Sequence, residues 1–166
     1  MQDPLEEIRS LLKQRRPQEA LAALDELPPT DEAELLERQR LRVYALEALG
    51  MLEQAFSVRE SITLSPHAEI YDHHSAGVDA VRLKQFDKAY PYLTRAIELS
   101  ITENDSYYLS VCYCLRAYVH AQRGDVPSTM QDLAHLEDDH ELGWIPNVPK
   151  LTKDYLISLA KLRAQQ

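Results

Sequence analysis

Apolar residues recur at helical spacing almost from end to end of the chain, and prolines and glycines break the pattern into nine stretches. Leu5, Ile8, Leu11 and Leu12 form the stripe of a short first helix. Pro17 opens a second, with Ala20, Leu21, Leu24 and Leu27 inward. Pro28-Pro29 stops it, because a proline ring disfavours helical geometry in the residue before it. Thr30 is placed to cap a long third helix, with Asp31, Glu32 and Glu34 in its positive first turn. Leu36, Val43, Leu46 and Leu49 line that helix, and Gly50 ends it. A fourth runs from about Leu52 to Leu64. Ser65-Pro66 is a start signal, which predicts a fifth helix from Pro66 to Leu83. A sixth spans Phe86 to Leu99, with Pro91 near its first turn, and a seventh spans Asn104 to Gln122. Gly124-Asp125 turns the chain into an eighth ending near Leu136. A loop rich in acids and prolines follows, and Thr152 caps a last helix bearing Leu156, Leu159, Ala160 and Leu162. No stretch has the length and alternation of a strand.

These helices repeat. Gln18-Glu19-Ala20-Leu21, Glu53-Gln54-Ala55-Phe56 and Asp87-Lys88-Ala89-Tyr90 place their alanines 35 and then 34 residues apart, and Pro127-Ser128-Thr129-Met130 follows after 40. Such a period marks stacked helical hairpins, none of which can bury its apolar face alone. Phe86, Leu93 and Ala96 surround Ala89 at fixed offsets, and Gly77 stands twelve residues before it. The same offsets give Val43, Leu52, Ala55, Arg59 and Ile62; Ile8, Pro17, Ala20, Leu24 and Leu27; and Ala117, Val126, Thr129, Leu133 and Leu136. Small residues belong where two helix axes cross closely.

On these residues the chain, from Leu5 to Leu136, resembles the tetratricopeptide repeat family; Val43, Arg59 and Thr129 depart from its pattern. The resemblance implies an all-α fold, a right-handed α-solenoid of antiparallel hairpins closed by a C-terminal capping helix. The hairpins fall at about 4–28, 31–64, 66–100 and 104–136 of one domain, with an acidic loop at 137–149 and the capping helix at 151–164. It also implies a concave groove lined by the first helix of each hairpin. Glu37, Arg40, Tyr44 and Glu47 would face it, then Tyr71, His74, Val78 and Arg82, then Cys114, Tyr118 and Gln122. Tyrosine offers contact area and a hydrogen bond at low entropic cost. Equally, these tyrosines can serve packing between hairpins. Family members that clamp a C-terminal carboxylate use lysines and asparagines on these helices. Here the only asparagines are Asn104 and Asn147, and no suitable lysine set exists, so that role is not expected.

Charge narrows the partner. The formal net charge of −9 opposes binding to nucleic acid or anionic lipid and favours encounter with a basic protein, although it also serves solubility. Between Gly124 and Pro149 stand Asp125, Asp132, Glu137, Asp138, Asp139 and Glu141, with no lysine or arginine and with the only tryptophan, Trp144. Trp144 reads either as a hot spot for a basic partner or as a plug at the end of the stack. The run from Asp138-Asp139-His140-Glu141 through Trp144 to Lys153-Asp154-Tyr155-Leu156-Ile157 is loosely similar to the C-terminal part of bacterial toxin-immunity proteins built on helical repeats. That similarity implies a cytoplasmic inhibitor of a cognate toxin domain. The alternative is an adaptor, assembly scaffold or secretion chaperone holding an extended peptide in the groove.

Catalysis, a metal and a cofactor are not expected. His73 and His74 are helix neighbours that diverge, and His135, Asp138 and His140 lack the fixed geometry of a metal site. No phosphate loop or nucleophile elbow is present. Cys112 and Cys114 diverge by about 200° on a helix and so share neither a metal nor a bond. No apolar run approaches the roughly 20 residues of a membrane span, and the N-terminus carries an acid, Asp3, where a signal peptide would be basic. A cytoplasmic location is expected; the oligomeric state is left open.

Overall fold

A computed structural model describes residues 4–28 and 31–166. The chain divides into two compact units, residues 1–69 and residues 70–166. Most of the described residues are helical, which agrees with the all-α expectation. No helix among them is long and apolar enough to cross a membrane.

The first unit holds α1 (Pro4–Lys13), α2 (Pro17–Glu26), α3 (Glu32–Ala48) and α4 (Leu52–Ile62). Leu5 and Ile8 of α1 pack with Ala20 and Leu24 of α2 and with Leu41 and Ala45 of α3. A second core joins Leu36, Val43 and Leu46 of α3 to Ala55 and Ile62 of α4. Pro17 sits at the start of α2, where its missing N–H costs nothing. The expected cap Thr30 lies outside the described residues. Asp31 caps α3 instead, its Oδ1 accepting the Glu34 N–H at 2.9 Å. Gly50 closes α3 at φ +73°, and the Met51 N–H reaches back to the Leu46 carbonyl at 2.9 Å. Arg59, the charged departure from the repeat, is buried and donates to Glu47 Oε1 at 2.8 Å, so the break in pattern is an ion pair tying α4 to α3.

The second unit holds α5 (Ile70–Arg82), α6 (Phe86–Thr102), α7 (Leu109–Gln122), α8 (Val126–Leu133), the two-residue strands β1 (Glu141–Leu142) and β2 (Leu151–Thr152), and α9 (Lys153–Arg163). Gly77 of α5 permits the close crossing with α6: a Cβ there would lie 2.6 Å from Leu93 Cδ2. The terminal helix packs on α7 and α8 through fully buried Leu156 and Ala160. As expected, Thr152 caps it, Oγ1 accepting the Tyr155 N–H at 3.2 Å.

The repeated positions share one burial phase. Ala20, Ala55, Ala89 and Thr129 are all 0% exposed. Thr129 can replace alanine because its hydroxyl donates to the Asp125 carbonyl at 2.7 Å, leaving no unsatisfied polar group in the core.

Three expectations need correction. The fifth helix begins at Ile70, not Pro66, because Ser65 Oγ accepts the His67 N–H at 3.2 Å and its carbonyl accepts the Ala68 N–H at 3.1 Å, closing a turn instead of capping a helix. The seventh begins at Leu109, not Asn104. Asn104 is left-handed at φ +56°, and Asp105 Oδ1 accepts the Tyr107 N–H at 2.8 Å in an Asx turn. The acidic loop is not wholly irregular, since β1 and β2 pair antiparallel at its ends, Glu141 opposite Thr152 and Leu142 opposite Leu151.

Candidate functional site

On α3, Glu37, Arg40, Tyr44 and Glu47 follow helical spacing along one side. Glu37, Arg40 and Glu47 form ion pairs within their own unit. Glu37 takes Arg9 at 3.1 Å, Arg40 reaches Glu69 at 3.4 Å, and Glu47 holds Arg59. Tyr44 remains 43% exposed.

In the second unit, most of the expected groove residues are core. His74, Val78, Cys114 and Tyr118 are buried. Tyr118 meets the Phe86 ring edge-on at 5.7 Å, and burial pushes its phenol pKa up, against an opposing hydrogen bond from Gln122. Tyr71 and His74 gather around Tyr108, at 6.2 and 4.5 Å between ring centres. Tyr108 and the well-exposed Tyr107 escaped the sequence reading because both sit in the turn mistaken for helix. Arg82 pairs with Asp79 at 3.1 Å. Burial lifts both thiols to about 12, so Cys112 and Cys114 stay protonated and chemically inert at neutral pH.

The acidic segment separates into two groups. Asp132 is buried, and accepts both Arg116 Nε at 2.9 Å and Nη2 at 2.7 Å. Arg116 also donates to Thr94 Oγ1 at 3.1 Å. His120 lies 3.7 Å from Asp132 and 3.7 Å from Asp125. Its pKa is lowered, chiefly by burial, despite the opposing pull of the two carboxylates. Asp125 caps α8, accepting the Ser128 N–H at 3.0 Å, and the Ser128 hydrogen bonds hold its carboxyl below the usual range. These two acids therefore serve the fold, Asp132 from the core and Asp125 from the half-exposed start of α8. A sequence signal for the Asp132 pair exists: Arg116 and Asp132 stand equally far on either side of Gly124, as partners across a hairpin must.

Glu137, Asp138, Asp139 and Glu141 are exposed. Lys153 Nζ ties Asp138 at 3.0 Å and the Leu136 carbonyl at 2.7 Å, and Lys150 meets Glu141 at 2.6 Å. Leu142, Ile145 and Leu151 point into the unit and are buried, whereas Trp144 is 62% exposed. The indole is therefore not packed into the unit, whereas its aliphatic neighbours are. His135 stacks on Tyr113 at 4.1 Å instead of joining Asp138 and His140. Among the described residues no group of three or more His, Cys, Asp or Glu side chains is placed to hold a metal ion.

Comparison of the chain with protein-family profiles, with characterised proteins and with solved structures finds no match.

Proposed function

We propose that the chain is a non-catalytic protein-binding module, a right-handed stack of tetratricopeptide-like hairpins with a terminal capping helix. In this reading it acts in the cytoplasm as an immunity protein, binding and neutralising a basic toxin domain. The observation that carries the reading is the exposure of Trp144 on a loop whose neighbouring apolar residues are buried and whose flank is acidic. A tryptophan held out of a packed unit costs solvation without serving the fold, and aromatic anchors of this kind dominate binding energy at interfaces. The net charge of −9 supports a basic partner and disfavours nucleic acid. A peptide-holding adaptor is the second reading, favoured by the 43% exposure of Tyr44 on α3.

Salt tests the charge argument. The association rate with the basic protein that co-purifies one-to-one at low salt should fall about tenfold between roughly 0.05 and 0.5 M NaCl, with dissociation much less affected. A salt-independent association rate, or a partner that is itself acidic, contradicts the proposal.

A further inference from the structure

Helix α9 carries apolar residues on both of its faces. Leu156 and Ala160 face α7 and α8 and are 0% exposed. A helix that covers a unit and otherwise meets only water is polar on its outer side. Here the outer side bears Tyr155, 37% exposed, and Leu162, 57% exposed, with the half-buried Leu159 between them at i, i+4, i+7 spacing. Tyr155, Ser158, Leu162 and Gln165 are all exposed and follow one another at three, four and three residues, the spacing of a coiled-coil seam. One flank of this seam is charged, because Asp154 and Lys161 immediately precede Tyr155 and Leu162. These two lie two turns apart, about 10.5 Å along the axis, too far to pair with each other. Neither takes part in an ion pair among the described residues.

We propose that this face docks on the same face of a second copy of the chain, the two α9 helices running antiparallel about Ser158. The seam complements itself in that arrangement. Tyr155, three residues before Ser158, meets the second copy's Leu162, four after it; Asp154, four before, meets the second copy's Lys161, three after. A parallel pairing would instead set Asp154 against Asp154 and Lys161 against Lys161. The two-fold axis makes every contact twice, and the small Ser158 stands where the helices approach most closely. One 11-residue helix per copy is a small interface, and copies of net charge −9 repel, so the dissociation constant is on the order of 0.1 mM. The proposal is independent of the basic-partner reading, which concerns the loop.

Sedimentation equilibrium of the full chain at about 0.15 M NaCl, from roughly 10 µM to 1 mM, tests it. A monomer–dimer equilibrium is expected within that range. Leu162→Glu, at an exposed position, should weaken association at least about 30-fold, since a carboxylate then enters the apolar seam. Asp154→Lys and Lys161→Asp each set like charges opposite one another twice per dimer, so each variant alone should associate about tenfold more weakly. An equimolar mixture of those two variants should associate as the unaltered chain does, because every substituted position then faces its opposite charge. That rescue also shows that neither variant is impaired in folding. A chain that stays monomeric to the top of the range, or a dimer that survives Leu162→Glu, overturns the proposal. So does a mixture that associates no better than its components, for the copies would then meet in another register or on another face.

Discussion

Replacing Asp132 with alanine is expected to destabilise the chain by about 3–5 kcal/mol, seen as a large downward shift of the urea midpoint. The cost comes from what is left behind. Arg116 lies under α8 with its side chain 16% exposed, and Asp132, 3% exposed, takes two of its N–H groups. Without Asp132 the guanidinium is left with the Thr94 hydroxyl, and a charge in that position must find water or force the hairpin open. The same deletion removes one of the two acids beside His120. The pair Arg123–Asp87 supplies the control. It is just as short, at 2.7 Å, but its carboxylate is 98% exposed, so Asp87→Ala should leave the midpoint in place. Equal effects from the two substitutions would show that the buried pair is not a structural tie.

The second large effect falls on Gly124. Its φ of +71° is left-handed, and a Cβ there would lie 2.8 Å from the Ala164 nitrogen and 2.9 Å from the Arg163 carbonyl carbon. Both obstacles are backbone, so no rotamer change relieves them. Alanine at this position should cost about 2–4 kcal/mol, one part from the left-handed conformation and one from pushing the end of α9 away. Gly50 separates the two parts. It has nearly the same angle, +73°, but nothing within 4 Å, so Gly50→Ala carries only the conformational cost of about 1–2 kcal/mol. Unfolding midpoints for the two variants, compared side by side, check this. An equal cost at both positions would mean that α9 does not lean on the turn.

The contrast between these residues explains what could be read in the chain and what could not. The alanine period and its offsets reported local geometry, in which a small residue recurs wherever two successive helices cross. All four positions, Thr129 included, are fully buried. Thr152 was likewise legible, since a cap is set by residues within one turn. Ser65-Pro66 and Asn104-Asp105 misled because the same side chains that cap helices also close turns, and only the surrounding chain decides between them. Two-residue strands are too short to show alternation, so the ladder at 141–152 left no pattern to find. In the candidate site, the acids looked alike in sequence. Their separation into a buried tie (Asp132), a helix cap (Asp125) and exposed loop residues depends on partners brought together only by folding. The groove tyrosines illustrate the same limit: Tyr44 and Tyr118 hold matching places in their repeats, yet one is 43% exposed and the other 7%.

That difference leads to the most direct test of the account, which places the partner on the loop and not on the tyrosines. The dissociation constant of the one-to-one complex should be measured for the unaltered chain, for Trp144→Ala and for Tyr44→Ala, both at exposed positions whose loss leaves the core intact. Trp144→Ala is expected to weaken binding by at least about 2 kcal/mol, roughly 30-fold, while Tyr44→Ala stays within a few-fold of the unaltered chain. Full affinity in Trp144→Ala with loss in Tyr44→Ala would contradict the account and favour a peptide held along the first helices.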